Sequence, residues 1–483
     1  MISRRTFLKR SLGSVAVVAG LGRAYAGEQP GRPGRPNILF IFIDDMGYAD
    51  PSCFGNPKVK TPNIDRLAQE GIRFTTFYTN SPICSPSRVA VMTGQYPARW
   101  DIHSYLNSRE RNRERGMANF LDPAAPTTAR LLKQAGYATA HFGKWHIGGG
   151  RDVDDAPLPQ VYGFDESLVS FEGLGDRILF PNDKLCDQSA KLGHGVITRV
   201  PKHRSTETYV DRTIDFMGRN PEKPFYIELF PNDVHDAHLP KPGAAEKFDG
   251  VTDNPFERSF FAVLEELDRQ LGRVVAAVDD LGQAGNTLIV FASDNGPTDW
   301  PHYYKKGHQP PGFTGPLFGR KWSLYEGGIR MPFIARWKGV IPEGITNDET
   351  VMCGIDLSPT FCRLAGAETD TTHPPDGEVM IDALMGKKIE RKQPVFWQYG
   401  TPFAQLRPGN PDFVSPSLAV RDGKWKLLVN PDGSDARLYN LAEDIGETKN
   451  RVQDFPEKAA GLWQKIRTWA ARMDIPVEDT PLV

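Results

Sequence analysis

Four mainly apolar runs occur along the chain, and each leads into polar residues. The first occupies residues 37–43 and stops at Asp44 and Asp45, and the others occupy residues 137–142, 224–230 and 287–292. An apolar run without alternation predicts a strand buried on both faces, as in a parallel sheet covered by helices. Stretches typical of helices lie between these runs, at residues 61–70, 87–92, 127–135, 206–217 and 256–281. This order predicts an α/β fold with a large, mostly parallel, doubly wound sheet flanked by helices.

The pattern changes after about residue 390. Short strand-like pieces follow at residues 394–398, 417–421 and 425–429, and then one helix-like stretch at residues 456–473. We therefore expect a small C-terminal α+β subdomain at residues 390–483, made of a short antiparallel sheet and a helix. The main α/β domain would occupy residues 37–389, and the Gly- and Pro-rich residues 27–36 would form a linker.

Residues 1–26 have the pattern of a signal peptide: a basic segment with Arg4 and Arg5, a short apolar run at residues 11–22, and Ala24 and Ala26 around a small-residue cleavage site. The adjacent arginines followed by Phe-Leu-Lys resemble the twin-arginine export signal. Because the apolar run is too short to span a bilayer, we expect no stable membrane anchor. The expected location is the periplasm or the medium.

Composition narrows the possible functions. The chain has 483 residues, of which 39% are hydrophobic and 24% charged, the balance of a soluble globular protein. Its formal net charge is −2, which gives no indication of nucleic acid as a partner. Without residues 1–26, 53 basic residues would stand against 60 acidic ones, so an anionic substrate must be held by local basic groups. Five cysteines are too few for a disulfide scaffold.

Polar residues at the ends of the predicted strands are candidates for a metal site, because open α/β sheets place their sites at the carboxyl ends of strands. Asp44 and Asp45 follow the first run, and Asp294 and Asn295 follow the last. Three carboxylates and an amide oxygen suit a hard cation, Ca²⁺ or Mg²⁺, better than zinc. The alternative is that both pairs are helix caps and turns.

A second candidate is the segment Cys-Ser-Pro-Ser-Arg at residues 84–88, which begins a predicted helix. Cys84 would lie at the positive end of the helix dipole with Arg88 one turn further on, a setting that favours an anionic oxygen or a sulfate. From these residues alone, Cys84 is either an activated thiol or a buried structural cysteine.

Taken together, the motifs resemble the formylglycine-dependent type I sulfatases of the alkaline-phosphatase-like superfamily. The N-terminal signature is PNILFIFIDDMGYAD at residues 36–50 and the segment TPNIDRLAQEGIRFTTFYTNSPICSPSRVAVMTGQYPAR at residues 61–99. Residues 84–88 match the family's Cys-x-Pro-x-Arg maturation motif. Three later blocks follow in the family's order: GKWHIG, FASDNG and RKWSLYEGGIR. The resemblance extends from about Asn37 to at least Trp337.

The resemblance implies a metal site and a modified residue. A formylglycine-generating maturation enzyme would oxidise Cys84 to Cα-formylglycine, an aldehyde that hydrates to a gem-diol. One Ca²⁺ ion, with Mg²⁺ as the alternative, would be bound by residue 84 together with Asp44, Asp45, Asp294 and Asn295. Its charge would lower the pKa of one diol hydroxyl, which would attack sulfur and form a covalent enzyme–sulfate intermediate.

The resemblance also implies roles for the basic residues. Arg88 would hold the diol and the metal-site carboxylates. Lys144 and Lys321 would bind sulfate oxygens, and His146 would assist collapse of the diol. His235 would protonate the leaving group, since the departing alkoxide of a sugar needs a proton.

The fourth family block departs from its usual pattern. Many relatives have Pro-His-x-Pro-His there, whereas this chain has Val-His-Asp-Ala-His at residues 234–238. His235 keeps its place, but the rigid prolines are absent, and the adjacent Asp236 would raise the pKa of His235. His238 is either structural or substrate-facing.

The expected activity is hydrolysis of sulfate from a sulfated polysaccharide or oligosaccharide. The alternatives are a broad arylsulfatase and a phosphomonoester or phosphonate hydrolase, whereas the complete residue set argues against a non-enzymatic glycan-binding protein. The arginine-rich residues 109–115 are interpreted as a solvated surface in preference to a glycan-binding rim. The sequence leaves open the oligomeric state, the sugar and sulfate position, endo or exo action, and any pairing of Cys53, Cys186, Cys353 and Cys362.

Overall fold

The computed structural model describes residues 34–181, 186–400 and 406–482. The predicted signal peptide and most of the linker lie outside these residues. The strands are β1 Asn37–Ile43, β2 Ile72–Tyr78, β3 Ala138–Lys144, β4 Glu166–Ser170, β5 Arg177–Leu179, β6 Ile197–Arg199, β7 Phe225–Phe230, β8 Thr287–Ser293, β9 Arg330–Arg336, β10 Ile345–Asn347, β11 Met352–Cys353, β12 Val395–Gln398, β13 Leu418–Asp422, β14 Trp425–Val429 and β15 Arg437–Asn440. The α-helices are α1 Pro62–Gln69, α2 Cys84–Thr93, α3 Arg109–Glu114, α4 Thr128–Gln134, α5 Ser205–Arg219, α6 Pro255–Asp280, α7 Pro301–Lys305, α8 Glu326–Ile329, α9 Leu357–Ala365, α10 Ile381–Leu384 and α11 Pro456–Arg472.

The large sheet has the strand order β10-β2-β9-β8-β1-β7-β3-β4-β5-β6, with β11 also paired to β2. Strand β9 is antiparallel to both of its neighbours, β2 and β8, and the other pairings in this sheet are parallel. The predicted fold class, a mostly parallel sheet flanked by helices, is confirmed.

Strand β1 shows why its sequence is continuously apolar. Phe40 and Phe42 pack into one hydrophobic cluster together with residues of α4 and α9. Leu39 and Ile41 point to the opposite face and pack with residues of α1, α5 and α6. Because helices cover both faces of the strand, every position of β1 is buried.

The sheet register brings the predicted metal-site segments together. Ile43, the last residue of β1, lies opposite Ser293, the last residue of β8. On the other side of β1 lies β7, and β3 follows it. The segments that leave β1, β8, β7 and β3 therefore meet at one edge, as expected for an open α/β sheet.

The C-terminal part contains a four-stranded antiparallel sheet in the order β12-β13-β14-β15, with α11 packed against it. This small sheet and helix match the predicted elements. They share a hydrophobic cluster with the N-terminal part, in which Tyr96 packs edge-on against Trp469 at 5.3 Å. The predicted boundary at residue 390 stays a prediction.

Within the described ranges, no helix is both long and apolar enough to cross a membrane. In the same ranges, Cys53, Cys84, Cys353 and Cys362 are free thiols. The side chain of Cys186 lies outside the description.

Candidate active site

The four residues predicted to bind a metal lie together at the edge of the sheet. The backbone N–H of Asp45 donates to Oδ1 of Asp294 at 3.0 Å, and Nδ2 of Asn295 donates to Oδ1 of Asp45 at 2.8 Å. Asp44 follows β1 beside them, and all four residues are buried. The interpretation of these residues as independent caps and turns is wrong, because the fold joins them into one polar cluster.

Cys84 faces this cluster from the first position of α2. Its Sγ atom lies 3.4 Å from Oδ1 of Asp44 and 3.9 Å from Oδ1 of Asp45. One turn further along α2, the Arg88 guanidinium contacts Oδ2 of Asp294 at 2.8 Å and Oδ1 of Asp44 at 3.5 Å. Helix α2 thus begins three residues earlier than the predicted segment at 87–92, with Cys84 at its N-terminus as the motif indicates.

Two buried lysines neutralise the two adjacent aspartates. Nζ of Lys144, the last residue of β3, lies 2.8 and 2.7 Å from the carboxylate oxygens of Asp44 and 3.2 Å from Sγ of Cys84. Nζ of Lys321 lies 2.5 and 2.6 Å from the carboxylate oxygens of Asp45. Both ammonium groups are therefore fixed beside residue 84, where an incoming anion would meet them.

Burial and neighbouring charges set the protonation of the cluster. Burial opposes ionisation of Asp44, but Lys144 and other cations hold its pKa well below the usual value. Burial and the nearby Asp44 charge raise the pKa of Asp294 to about 7. Burial, together with the negative charge of Asp294, raises the pKa of the Cys84 thiol well above its usual value. This raised pKa favours a neutral thiol at position 84 over an activated thiolate.

The donor set fits a hard divalent cation. Donor atoms of Asp44, Asp45, Cys84 and His235 all lie within 4.8 Å of one another. Oδ1 of Asn295 is buried and accepts no hydrogen bond within the described part of the chain. Oxygen atoms from several carboxylates and an amide are the ligands that Ca²⁺ and Mg²⁺ prefer. The nitrogen of His235 was not predicted to lie in this group.

His146 lies at the wall of the site in a left-handed backbone conformation, with φ of 55°. Both of its ring nitrogens are buried and make no hydrogen bond among the described residues. Burial and the nearby Lys144 and Arg88 charges lower its pKa well below the usual value, so the imidazole is neutral. The nearest carboxylate is Glu172, whose Oε2 lies 4.0 Å from Nε2 of His146. A neutral imidazole with free nitrogens is able to accept a proton at this position.

His235 follows β7 and points its Nε2 atom toward Oδ2 of Asp45, at 3.6 Å. Its Nδ1–H donates to the backbone carbonyl of Asp236, which fixes the orientation of the ring. The prediction that Asp236 raises the pKa of His235 is wrong. Burial, together with the Lys321 and Lys144 charges, lowers the pKa of His235 despite the opposing effect of Asp45.

His238 is structural. Its Nε2 atom lies 2.9 Å from the carbonyl oxygen of Val234, and its ring packs edge-on against Phe260. Burial lowers the pKa of His238 to about 4, so it is neutral and donates from Nε2. This contact holds the loop that carries His235.

The arginine-rich segment forms the short helix α3 and the residue after it. Arg109 pairs with Asp154 and Asp155, and Arg111 pairs with Glu114. Arg115 is buried, with its guanidinium over the ring of Tyr105 at 4.5 Å. Arg109 and Arg111 thus pair with carboxylates of the chain at its surface, whereas the burial of Arg115 does not fit the interpretation of the whole segment as a solvated surface.

A cleft of about 520 Å³ opens above Cys84. Besides the predicted residues, its lining includes Tyr105, Arg151, Phe171, Lys202, Trp300 and Trp322. Trp322 had one indication in the sequence, its place directly after Lys321 in a matched block, but it was not singled out. Phe171 and Lys202 had none, because they lie outside the matched motifs.

Comparison with known proteins places most of the chain in one family. Residues 36–367 match the family described as Sulfatase, and residues 316–470 match the family described as N-sulphoglucosamine sulphohydrolase, C-terminal. The chain is 32% identical to human arylsulfatase A over 97% of its length and 92% of that relative. It is 28% identical to an N-acetylgalactosamine-6-O-sulfatase of Bacteroides thetaiotaomicron, over 95% of this chain and 98% of that protein.

Among solved structures, the fold is similar to that of Ps i-CgsB in complex with k-i-k-neocarrahexaose. The TM-score is 0.73 at 28% identity, and the match covers 90% of this chain and 93% of that structure.

Proposed function

The chain belongs to the sulfatase family and is a sulfuric ester hydrolase, and from this premise we propose that it removes sulfate from a sulfated carbohydrate. The observation that carries the proposal is the position of Cys84: its Sγ atom lies within 3.9 Å of Asp44, Asp45 and Lys144, at the base of an open cleft. A sulfate group that enters this cleft would meet Lys144 and Lys321 directly beside residue 84.

The walls of the cleft support a carbohydrate substrate. Tyr105, Trp300 and Trp322 line it, and the rings of Trp300 and Trp322 pack edge-to-face at 5.0 Å. A volume of about 520 Å³ is in the range of sites that hold small organic ligands. The names of two similar proteins also refer to sugars: one is an N-acetylgalactosamine-6-O-sulfatase, and the other was crystallised with a neocarrahexaose.

The proposed nucleophile is the hydrate of formylglycine at position 84, formed from Cys84 by a formylglycine-generating maturation enzyme. The buried neutral thiol supports this, because a thiol with a raised pKa is a poor nucleophile in its own right. A bound Ca²⁺ ion would be held by Asp44, Asp45, Asp294 and Asn295, and its charge would favour ionisation of a hydroxyl at position 84.

The side chains of this chain then have distinct tasks. Lys144 and Lys321 hold the sulfate oxygens, and Arg88 keeps Asp294 and Asp44 in place. One hydroxyl of residue 84 would first lose its proton to solvent, and as its oxygen bonds to sulfur, the bond from sulfur to the sugar oxygen breaks. That oxygen takes a proton from Nε2 of the His235 imidazolium, whose charge Asp45 stabilises.

Release of sulfate would use His146. The remaining hydroxyl of residue 84 gives its proton to the neutral imidazole of His146, the carbon–oxygen bond to sulfate breaks, and the aldehyde is restored. No water has to attack a crowded sulfur atom in this series of steps.

We also propose that the enzyme is exported through the twin-arginine route, on the basis of Arg4 and Arg5.

The test is a panel assay with the purified, matured protein. Defined sulfated oligosaccharides, nitrophenyl sulfate and nitrophenyl phosphate are compared by kcat/KM, with the Cys84→Ala variant as the control. We expect turnover of at least one sulfated sugar and weak turnover of the phosphate ester. Turnover of aryl sulfate with no sulfated sugar accepted would overturn the carbohydrate assignment, and faster turnover of phosphate would overturn the choice of ester.

A further inference from the structure

The loop that carries His235 has three consecutive backbone carbonyls, each bound by a side chain. Nζ of Lys202 donates to the carbonyl of His235 at 3.1 Å and to the carbonyl of Ala237 at 2.9 Å. The carbonyl of Asp236 between them accepts from Nδ1 of His235 itself. Lys202 therefore binds the loop on both sides of the Asp236 carbonyl, which orients the imidazole of His235.

Lys202 is an unusual residue for this task. Its side chain lines the cleft, yet the residue is 93% buried, with 7% of its surface exposed. Among the residues that the structure describes, its ammonium group forms no ion pair, and its hydrogen-bond partners are carbonyl oxygens. A buried cation without a paired anion costs free energy, which must be offset by the contacts it makes. The hydrogen bonds to the carbonyls of His235 and Ala237 are the contacts that would offset this cost.

The segment before α5 fixes Lys202 in turn. The hydroxyl of Ser205 donates to the carbonyl of Lys202 at 2.7 Å, within the short turn that precedes the helix. On the other side of the loop, His238 binds the carbonyl of Val234. The Val234–His238 segment lacks proline, and these side-chain contacts add to two backbone hydrogen bonds, from the N–H of Val234 to Asp44 and from the N–H of His235 to Asn232.

We propose that Lys202 is a positioning residue for His235. By holding the carbonyls of His235 and Ala237, it keeps the Asp236 carbonyl against Nδ1, so that Nε2 faces the cleft and Asp45. The inference rests on the proposed role of His235 as the acid that protonates the leaving group. The hydrogen bonds of the Lys202 ammonium group within the described part of the chain go to these two carbonyls and not to Cys84.

This role predicts a particular kinetic signature. Loss of the hydrogen bonds from Lys202 should slow hydrolysis of substrates whose leaving group needs a proton. Hydrolysis of substrates with activated leaving groups should be less affected. Supporting residues of this kind are typically worth on the order of 10–100-fold. We therefore expect Lys202→Met to lose on the order of 10–100-fold in kcat on a sugar sulfate, with KM nearly constant. The loss on nitrophenyl sulfate should be a few-fold at most.

Three further variants sharpen the test. Lys202→Arg, which keeps several donors, should retain most of the sugar-sulfate activity. Lys241→Met removes an exposed lysine from the next part of the chain and should match the unchanged enzyme. In the double variant, adding Lys202→Met to His235→Ala should cause no further loss of kcat on the sugar sulfate, because the imidazole that Lys202 would position is already absent. Circular dichroism confirms folding, and Lys202→Gln replaces Lys202→Met if that variant does not fold.

The outcomes separate two failures. Suppose that His235→Ala slows the sugar sulfate more than the aryl sulfate, as proposed. The positioning role of Lys202 is then overturned if Lys202→Met slows both substrates equally, or if it adds its full loss of activity to that of His235→Ala. If His235→Ala itself slows sugar and aryl sulfates equally, the acid role of His235 fails, and the proposed function must be revised first.

Discussion

Sγ of Cys84 lies 3.2 Å from Nζ of Lys144, although the two residues are separated by 60 positions in the chain. Helix α2 supplies the sulfur and strand β3 supplies the ammonium group, and the cleft opens directly above them. A reacting oxygen at position 84 would therefore form beside a fixed positive charge that needs no rearrangement. Such preorganised charge is the main source of rate acceleration in many hydrolases.

Cys84→Ala should abolish turnover and leave the fold intact. The substitution removes one sulfur atom from a buried position, whereas loss of a covalent nucleophile typically costs on the order of 10⁴–10⁶-fold in rate. The measurement is kcat on a sulfated sugar together with the thermal unfolding midpoint. Cys362→Ala is the matched control, since Cys362 is an equally buried free thiol far from the cleft in sequence. Near wild-type hydrolysis by Cys84→Ala would contradict the covalent mechanism.

Asp294→Ala should reduce both metal content and activity. Asp294 binds Arg88 through Oδ2 and the backbone N–H of Asp45 through Oδ1, so its loss removes one carboxylate and disorders a second metal ligand. Elemental analysis and the sulfatase rate are measured over a series of Ca²⁺ concentrations, and added Ca²⁺ should restore part of the activity. Full metal occupancy with an unchanged rate would remove Asp294 from the site.

Chelation of the unchanged enzyme serves as the control for this variant. Removal of the metal should lower activity to the level of Asp294→Ala without added Ca²⁺, and readdition should restore it fully.

His235→Ala should affect sugar sulfates more than nitrophenyl sulfate. A sugar alkoxide needs a proton as it leaves, so the loss there should be on the order of 10²–10⁴-fold, while an aryl oxide needs little. Because burial lowers the pKa of His235, its protonated form declines as pH rises, and sugar-sulfate turnover of the unchanged enzyme should decline with it. Rates of both substrates are followed across pH. A flat profile for the sugar sulfate would assign the acid to another group.

The central strands and the clustering of the motif residues were predictable because their sequence signals are local. Strand β1 has the predicted bounds, residues 37–43, since burial on both faces makes every position apolar. Strands β2 and β9 were not predicted as strands. Arg73 and Thr75 interrupt the apolar pattern of β2, and the antiparallel β9 contains Pro332.

Positioning residues gave no such signal. Lys202 acts on backbone carbonyls more than thirty residues away, and carbonyls are present at every position whatever the side chain. Its neighbours, Pro201 and His203, are typical of an ordinary polar turn. Contacts of this kind follow from the fold and not from a motif.

Lys426→Met should destabilise the protein strongly. Lys426 is fully buried, and its ammonium group lies 2.9 Å from carboxylates of both Glu326 and Glu447. Removing one partner of a buried ion pair costs about 3–5 kcal/mol. Glu447 would lose the cation beside it, while Glu326 would keep its contacts with Arg330 and Tyr78. The urea midpoint is measured, with Lys424→Met as the control, since Lys424 is exposed two residues earlier.

The pH dependence of that loss has a definite sign. Burial raises the pKa of Glu447 to about 7 against the opposing charge of Lys426, so loss of that charge in Lys426→Met would move its folded-state pKa further above the unfolded one. Stability is then retained at low pH and lost as pH rises through the folded value. The difference from the unchanged protein should thus be larger at pH 8 than at pH 5. An equal difference at both pH values would contradict the assigned network.

The burial of Cys84 also bears on when it is modified. The residue is 2% exposed, every residue of α2 is buried, and Lys144 and Asp44 cover the sulfur. This burial favours modification of the thiol before the chain folds. A twin-arginine substrate crosses the membrane already folded, so the modification would have to take place in the cytoplasm.

Replacing Arg4 and Arg5 with lysines should therefore retain a mature and active enzyme inside the cell. Mass spectrometry of the peptide containing Cys84 should show formylglycine in the retained protein, and the lysate should hydrolyse a sulfate ester. As a control, folded unmodified protein treated with the maturation enzyme should keep its thiol, while an unfolded peptide of the same sequence is converted. A retained protein that is folded but carries only the thiol would show that modification follows export, and conversion of the folded protein would show that burial of Cys84 does not set the order of events.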